Sequence, residues 1–303
     1  MDRKKLLLGT ALILFTGLLY VSPAGAKMYK EVAIGVMSDA PSQAEGDRYY
    51  MRYHGPEVTD ISGPWMARYR LWLPYEPPEE AVERFGGVRG RYAELWFRDE
   101  DYADRPPLEY MTPSNWKIDN TRESRFTNCM VAANPTERFY DTRPNPGQTP
   151  IVRWIAVIRY PDGVSVEDGE KWFLNVHARE AAKQPGLLKF LSYRAVSLKD
   201  GGNMSGGNMP PGDMEMPEGG EMPPGSAGPS WVRVLEYWYT SLDDWRKAVL
   251  ESPPKYTKPP WGGEYPFVEM ISTFIPYYHD VDFLEGTYQV DFDRPRVKYN
   301  TSP

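Results

Sequence analysis

The chain is poor in cysteine and histidine, with one cysteine and three histidines among 303 residues. A single cysteine forms no intramolecular disulfide and builds no cysteine-based zinc site. Because Met130 and Val131 follow it, Cys129 is expected to be a small buried side chain rather than a nucleophile. The fold must therefore depend on packing of its core.

Concentrated positive charge is also absent. The 35 Lys and Arg residues are outnumbered by 42 Asp and Glu residues, and the formal net charge is −7. Binding of nucleic-acid phosphates needs a clustered basic surface, and no Lys/Arg cluster occurs along the chain. The sequence therefore predicts no nucleic-acid partner.

Long apolar runs are absent after the N-terminus. Arg3, Lys4 and Lys5 precede the apolar stretch 6–21, and small residues follow at 24–26. This pattern is typical of a secretory signal peptide over residues 1–26. The alternative is a membrane helix, but the apolar stretch is shorter than the roughly 20 residues that span a bilayer. We expect a periplasmic or secreted protein with no membrane span after signal cleavage.

The rest of the chain contains an internal repeat. Strand-like runs at 29–37 and 151–160 each precede a stretch with two adjacent aromatic residues and a histidine. A shift of 123 positions aligns four pairs: Tyr49 with Trp172, Tyr50 with Phe173, His54 with His177, and Gly63 with Gly186. Two copies of one structural unit are therefore predicted.

Further strand-like runs complete each unit. They lie at 65–72, 91–98 and 126–132 in the first copy and at 188–196, 231–240 and 267–275 in the second. The second copy has a helical stretch at 241–250 with Ser241 as its N-cap. The matching stretch at 101–111 contains two prolines and is expected to be degraded. The predicted fold class is α+β, with two tandem ferredoxin-like (βαββαβ) units.

The predicted domain organisation has two units and three accessory segments. The first unit covers 27–145 and the second 146–280, after the signal peptide at 1–26 and before a C-terminal strap at 281–303. A Gly/Pro/Met-rich insertion at 200–229 has no apolar periodicity and is expected to be flexible. Its methionines also leave Cu(I) binding open, because thioethers are soft ligands.

The histidine motif resembles one found in the EthD family of the dimeric α+β barrel superfamily. The resemblance is carried by Tyr49-Tyr50 with His54-Gly55-Pro56, and again by Trp172-Phe173 with His177-Ala178 and Gly186. It implies that the two units pair face to face through their sheets as an intrachain pseudo-dimer, with a further oligomer or protein partner left open. Export, tandem fusion and the Met-rich insertion depart from the usual single-unit family members.

The candidate site residues follow from the repeat. His54 and His177 are the candidate catalytic acid/base groups, with His54 preferred, and the alternative is that each supports the end of its own helix. Tyr49, Tyr50, Arg52, Trp172 and Phe173 are the candidate substrate-binding residues, and the alternative for the aromatic ones is core packing. No metal site is expected, because His279, Asp280 and Asp282 lack the spacing of a dedicated ligand set.

Three functions are consistent with these residues. The first is a cofactor-independent lyase or isomerase that uses histidine acid/base chemistry on a small aromatic or polyketide-like compound. The second is a non-catalytic protein of the cell envelope that binds a small hydrophobic ligand or assembles with a partner. The third is a haem-binding barrel in which one histidine ligates the iron.

Overall fold

A computed structural model describes residues 28–35, 42–63, 66–98, 127–141, 152–196, 231–277 and 280–284. The predicted signal peptide at 1–26, the predicted flexible insertion at 200–229, the stretch 101–111, His279 and most of the predicted strap lie outside the described residues. The predicted domain boundaries therefore stay predictions.

The described residues form ten strands, and all of their pairings are antiparallel. In chain order they are β1 (Met28–Gly35), β2 (Met66–Trp72), β3 (Arg91–Arg98), β4 (Thr127–Ala132), β5 (Glu137–Asp141), β6 (Val152–Arg159), β7 (Lys189–Arg194), β8 (Arg233–Tyr239), β9 (Glu269–Pro276) and β10 (Asp280–Asp282). One sheet has the order β10-β2-β3-β1-β4 and the other β5-β7-β8-β6-β9. The predicted α+β class with two similar units is confirmed.

The helices cover one face of each sheet. The first unit has α1 (Gln43–Tyr49), a π-helical turn at Tyr50–His54 and α2 (Gly55–Ser62), and the second has α4 (Val166–Trp172), a π-helical turn at Phe173–His177 and α5 (Ala178–Ala181). Ser241 caps α6 (Leu242–Arg246) by accepting a hydrogen bond from the Asp244 N–H at 3.1 Å, as predicted. A third π-helical turn, Lys247–Glu251, extends α6. None of the described helices is long and apolar enough to cross a membrane.

A helix that the sequence analysis did not predict lies between β2 and β3. This helix, α3 (Glu79–Phe85), begins at two glutamates and ends at Gly86, whose φ of 57° is left-handed. Phe85 packs edge-on against Trp154 and Trp245 of the second unit, at centroid distances of 5.3 and 6.1 Å. The first unit therefore contributes to the core beneath the second sheet.

The two units exchange their last strands. β5 follows β4 along the chain but pairs with β7 in the second sheet, whereas β10 follows β9 but pairs with β2 in the first sheet. Backbone bonds also join the sheets at both seams: Val196 N–H donates to the Met130 carbonyl at 2.9 Å, and Val88 N–H donates to the Ser272 carbonyl at 2.8 Å. These contacts link the two units into one pseudo-dimer.

Side chains fill much of the space between the two sheets. One apolar cluster contains Val32, Ile34, Trp72, Val88, Tyr92, Cys129 and Val131 from the first unit and Ile155, Val157, Leu191, Tyr193, Trp231, Val234 and Ile275 from the second. Two other clusters join the outer face of each sheet to its helices. Cys129 is fully buried, as expected, and burial raises the pKa of its thiol to about 12.

Candidate functional site

Both predicted catalytic histidines end a π-helical turn. The turns at Tyr50–His54 and Phe173–His177 are separated by the repeat distance of 123 residues, and such turns are frequent at functional sites. Because the turns lie in the helices, both histidines sit in the helix layers and not in the apolar cluster between the sheets. Any chemistry at either histidine would therefore take place outside the barrel interior.

His177 lies in an aromatic cluster that we call the His177 cluster, formed with Trp172, Phe173, Tyr256 and Tyr265. The imidazole stacks on Trp172 at 4.9 Å and lies 5.8 Å from Phe173, 5.4 Å from Tyr256 and 6.1 Å from Tyr265. It is 4% exposed, and burial lowers its pKa to about 4. His177 is therefore neutral at physiological pH, and the two predicted binding residues Trp172 and Phe173 touch it.

Tyr256 and Tyr265 are held in place by polar contacts and by each other. The two rings stack at 4.3 Å, and Tyr256 OH accepts a hydrogen bond from Gln184 Nε2 at 2.8 Å. Gln184 Oε1 in turn accepts from Tyr239 OH. Both tyrosines lie between α6 and β9 in a proline-rich connection without apolar periodicity, so no sequence pattern singles them out.

His54 has a more open environment than His177. Its ring meets Tyr50 edge-on at 4.5 Å, and Tyr69 OH donates to Tyr50 OH at 3.3 Å. Burial raises the pKa of Tyr50 to about 12 and lowers the pKa of His54 to about 4. Tyr50 and His54 are thus in contact, and His54 remains partly exposed.

The other predicted binding residues of the first unit are Tyr49 and Arg52. Tyr49 stacks on Tyr53 at 5.7 Å, and the Tyr53 side chain is 60% exposed. Arg52 is exposed as well. The two copies are therefore unequal: Trp172 and Phe173 are buried in the second unit, whereas Tyr49 and Tyr50 are half-buried in the first.

A buried arginine supports each histidine helix from the sheet below. Arg91 pairs with Asp47 and lies 5.9 Å from the Tyr50 ring, while Arg233 pairs with Glu170 and lies 5.0 Å from the Phe173 ring. Arg233 also pairs with Glu137 of the exchanged strand β5. Both arginines thus bind the helices that carry the histidines to the sheets. Arg233 also binds the exchanged strand β5 to the second sheet.

A network of charged side chains, which was not predicted from the sequence, crosses the barrel interior. Lys30 pairs with Glu94 and Arg153 pairs with Glu236, each at 3.0 Å. Each cation also packs on an aromatic ring of the opposite unit: Lys30 lies 4.2 Å from Tyr193, and Arg153 lies 4.7 Å from Trp72. The network is thus arranged with the same pseudo-symmetry as the strands.

Glu94 and Glu236 also accept hydrogen bonds from neutral side chains. Glu94 accepts from Tyr92 OH at 2.6 Å, and Glu236 accepts from Tyr193 OH at 3.1 Å and from Trp238 Nε1 at 2.7 Å. Burial acts to raise the pKa of Glu94, but Lys30 and Arg153 outweigh it and hold that pKa below its ordinary value. Single charged residues inside apolar strands, recurring at repeat-equivalent positions, are the signal that could have revealed this network.

Metal binding has no support within the described ranges. No group of three or more His, Cys, Asp or Glu side chains there is placed to hold a metal ion. His279, the third histidine, falls outside those ranges.

Comparison with known proteins identifies no family. The chain matches no protein-family model and no curated protein. Among solved structures, it is similar to an anthrone oxidase-like protein over 86% of this chain and 94% of that one, with 10% identity and a TM-score of 0.45. It is also similar to a mutant chlorite dismutase from Candidatus Nitrospira defluvii over 83% and 92%, with 11% identity and a TM-score of 0.36. At these values neither neighbour supplies a functional argument.

Proposed function

We propose that the protein binds a small hydroxylated aromatic compound beside His177, in the helix layer of the second unit. The observation that carries this proposal is the Nδ1 atom of His177, which is buried and has no hydrogen-bond partner among the described residues. Buried polar atoms in proteins are almost always hydrogen-bonded. The unpaired Nδ1 atom of His177, which shares its cluster with the Nε1 atom of Trp172, also unpaired within the described ranges, therefore supports a hydrogen-bonding ligand there.

The chemistry of the cluster favours a hydroxyl on a flat ring. A neutral imidazole has one donor and one acceptor nitrogen, and a hydroxyl can pair with Nδ1 in either tautomer. The rings of Trp172, Phe173, Tyr256 and Tyr265 favour an aromatic partner, because aromatic rings gain from edge-on and offset contacts. A phenol satisfies both requirements.

The low pKa of His177 favours binding over general base catalysis. With a pKa of about 4, an imidazole that removes a proton from a phenol of pKa near 10 faces a cost of about 8 kcal/mol. At pH 7 roughly one imidazole in a thousand is protonated, so it is also a poor proton donor. A catalytic role for His54 or His177 stays a prediction that requires a more acidic substrate.

Calorimetric titration with p-cresol and toluene tests the proposal, because these probes differ only in the hydroxyl. We expect the protein to bind p-cresol about tenfold more tightly than toluene, the value of one hydrogen bond. His177→Phe keeps an aromatic ring in the cluster and should abolish this preference. The repeat-equivalent His54→Phe should retain it. Equal affinity for the two probes, or loss of the preference only in His54→Phe, would overturn the proposal.

We also propose that the protein is exported and that its units are EthD-like. The basic start, the apolar stretch and the small residues at 24–26 support export. The recurrence of the aromatic pair and histidine on equivalent π-helical turns supports the family assignment. Mass analysis of the protein from the periplasmic fraction should give a chain that begins near Lys27, whereas a cytoplasmic protein that retains residues 1–26 would contradict export.

A further inference from the structure

Arg153 in the barrel interior has hydrogen-bond donors that are not used. Its side chain is 9% exposed, and its Nη1 donates to Glu236 at 3.0 Å. Its Nε and Nη2 atoms are buried, and within the described ranges neither has a hydrogen-bond partner. Trp72, whose ring lies 4.7 Å from the Arg153 guanidinium, has an indole Nε1 in the same condition. Three buried N–H donor atoms therefore belong to one contacting pair of side chains.

The carboxylates around Arg153 are already engaged. Glu236 accepts hydrogen bonds from Arg153, Tyr193 and Trp238. Glu94 accepts from Lys30 and Tyr92. Since guanidinium and indole N–H groups only donate, the partner that these atoms lack must be a hydrogen-bond acceptor.

The position of the unused donors selects the kind of acceptor. Nε and Nη2 form one edge of the guanidinium, and their two parallel N–H groups match the two oxygens of a carboxylate. The same edge is used elsewhere in this chain: Arg233 donates from Nε and Nη2 to the two carboxylate oxygens of Glu170, both at 2.6 Å. Arg153 presents the same arrangement without a carboxylate.

We infer that the barrel interior binds a small monocarboxylate through the Nε–Nη2 edge of Arg153, with Trp72 Nε1 as a third donor. This site is distinct from the His177 cluster, because Arg153 faces the opposite side of the second sheet from the helices.

Charge and aromatic surroundings support a monoanion at this position. Three cations and two carboxylates lie around Trp72, Tyr193 and Trp238, namely Lys30, Arg153, Lys189, Glu94 and Glu236. One further carboxylate would bring this group to neutrality. The guanidinium lies 4.7 Å from Trp72 and 5.6 Å from Trp238, and rings that exclude water strengthen a charge-assisted hydrogen bond.

The edge of the first sheet beside Trp72 carries partly exposed charged side chains. Asp280 of the exchanged strand β10 is the register partner of Trp72. Its side chain is 27% exposed, and it pairs at 3.2 Å with Arg70, which is 31% exposed.

Titration of the full chain with benzoate, and with benzyl alcohol as the neutral matched probe, tests this site. We expect saturable benzoate binding that shifts the Trp72 indole N–H resonance, and at least tenfold weaker binding of benzyl alcohol. Arg153→Lys should weaken benzoate binding at least tenfold, because lysine keeps the charge but lacks the two-donor edge. Lysine suits the fold at this position, since Lys30 is the repeat-equivalent residue.

A second variant keeps the proposal testable if Arg153→Lys folds poorly. Trp72→Phe removes the third donor and leaves a smaller aromatic ring in its place, and its repeat equivalent Tyr193 is already an aromatic residue without an indole. We expect about threefold weaker benzoate binding. His177→Phe, which alters the other proposed site, should bind benzoate like the unaltered protein. Benzoate that binds no better than benzyl alcohol, or equally well to Arg153→Lys, would show that only water occupies this edge and would overturn the inference.

Discussion

At the scale of single residues, His54 and His177 couple the stability of the fold to pH. Each has a pKa of about 4 in the folded protein against 6.5 for an ordinary histidine. Above pH 6.5 neither folded nor unfolded chain binds a proton at these sites. Between pH 6.5 and 4 only the unfolded chain does, so acid lowers the free energy of unfolding by up to about 3 kcal/mol for each histidine.

His177→Phe should remove one of these two contributions. We expect the free energy of unfolding of this variant at pH 7 to equal or exceed that of the unaltered protein, because an unsatisfied buried polar atom is replaced by an apolar ring. Its loss of stability between pH 7 and pH 4 should be smaller by about 3 kcal/mol. Urea unfolding at the two pH values measures both quantities. An unchanged pH dependence would mean that His177 is protonated as easily in the fold as in the unfolded chain.

The residues that the sequence could reveal are those that recur in simple patterns. His54, His177 and their aromatic neighbours were found because they recur at one spacing beside easily recognised strands. Tyr256 and Tyr265 could not be found, because they approach His177 from a connection that only the tertiary fold places there. The unsatisfied donors of Arg153 likewise depend on which partners reach it in three dimensions.

At the scale of the elements, the glycine at the start of α2 is explained by the strand exchange. Gly55 begins α2, and a Cβ atom placed there would lie 2.2 Å from the ring of Phe283, which directly follows β10. The equivalent residue in the second unit is Ala178, which is fully buried but evidently has room for its methyl group. The glycine of the first copy is therefore explained by the arrival of Phe283 from the second unit.

Gly55→Ala should displace Phe283 and destabilise the protein. We expect a loss of about 1–3 kcal/mol in the free energy of unfolding, the usual cost of overpacking. Gly63→Ala is the matched control, because its added Cβ would meet Thr59 at an ordinary 3.5 Å. Urea unfolding compares the two variants. If Gly55→Ala were as stable as the control, Phe283 would not be fixed against α2, and the docking of β10 would be in doubt.

The main strands of each unit are predictable from the sequence, but the exchange of the last strands is not. The predicted runs at 91–98 and 126–132 correspond to β3 and β4 because long alternating stretches report the face that each residue presents. β5 and β10 have five and three residues, too few to show a period, and their partners are set by the distant sheet. α3 escaped prediction because its buried face, Ala81 and Phe85, is narrow and packs on the other unit.

At the scale of the whole molecule, the paired sheets create two different environments from one repeated unit. The helix layer of the second unit holds His177 among four aromatic rings, and its buried Nδ1 atom has no hydrogen-bond partner among the described residues. The interior between the sheets holds Arg153, a charged group with unused donors, between two tryptophans. The two copies have diverged in the part of the chain that the structure describes: Lys30 occupies the repeat position of Arg153, and the partly exposed His54 occupies the repeat position of the buried His177.

The most direct test of the proposed function is the nitrogen chemical shift of His177 Nδ1 during titration with p-cresol. We expect Nδ1 of the free protein to have the shift of an imidazole nitrogen without a hydrogen bond. We also expect p-cresol, but not toluene, to move this shift toward that of a hydrogen-bonded nitrogen. An Nδ1 atom that is already hydrogen-bonded in the free protein, or whose shift does not respond to p-cresol, would contradict the proposed binding of a phenol at His177.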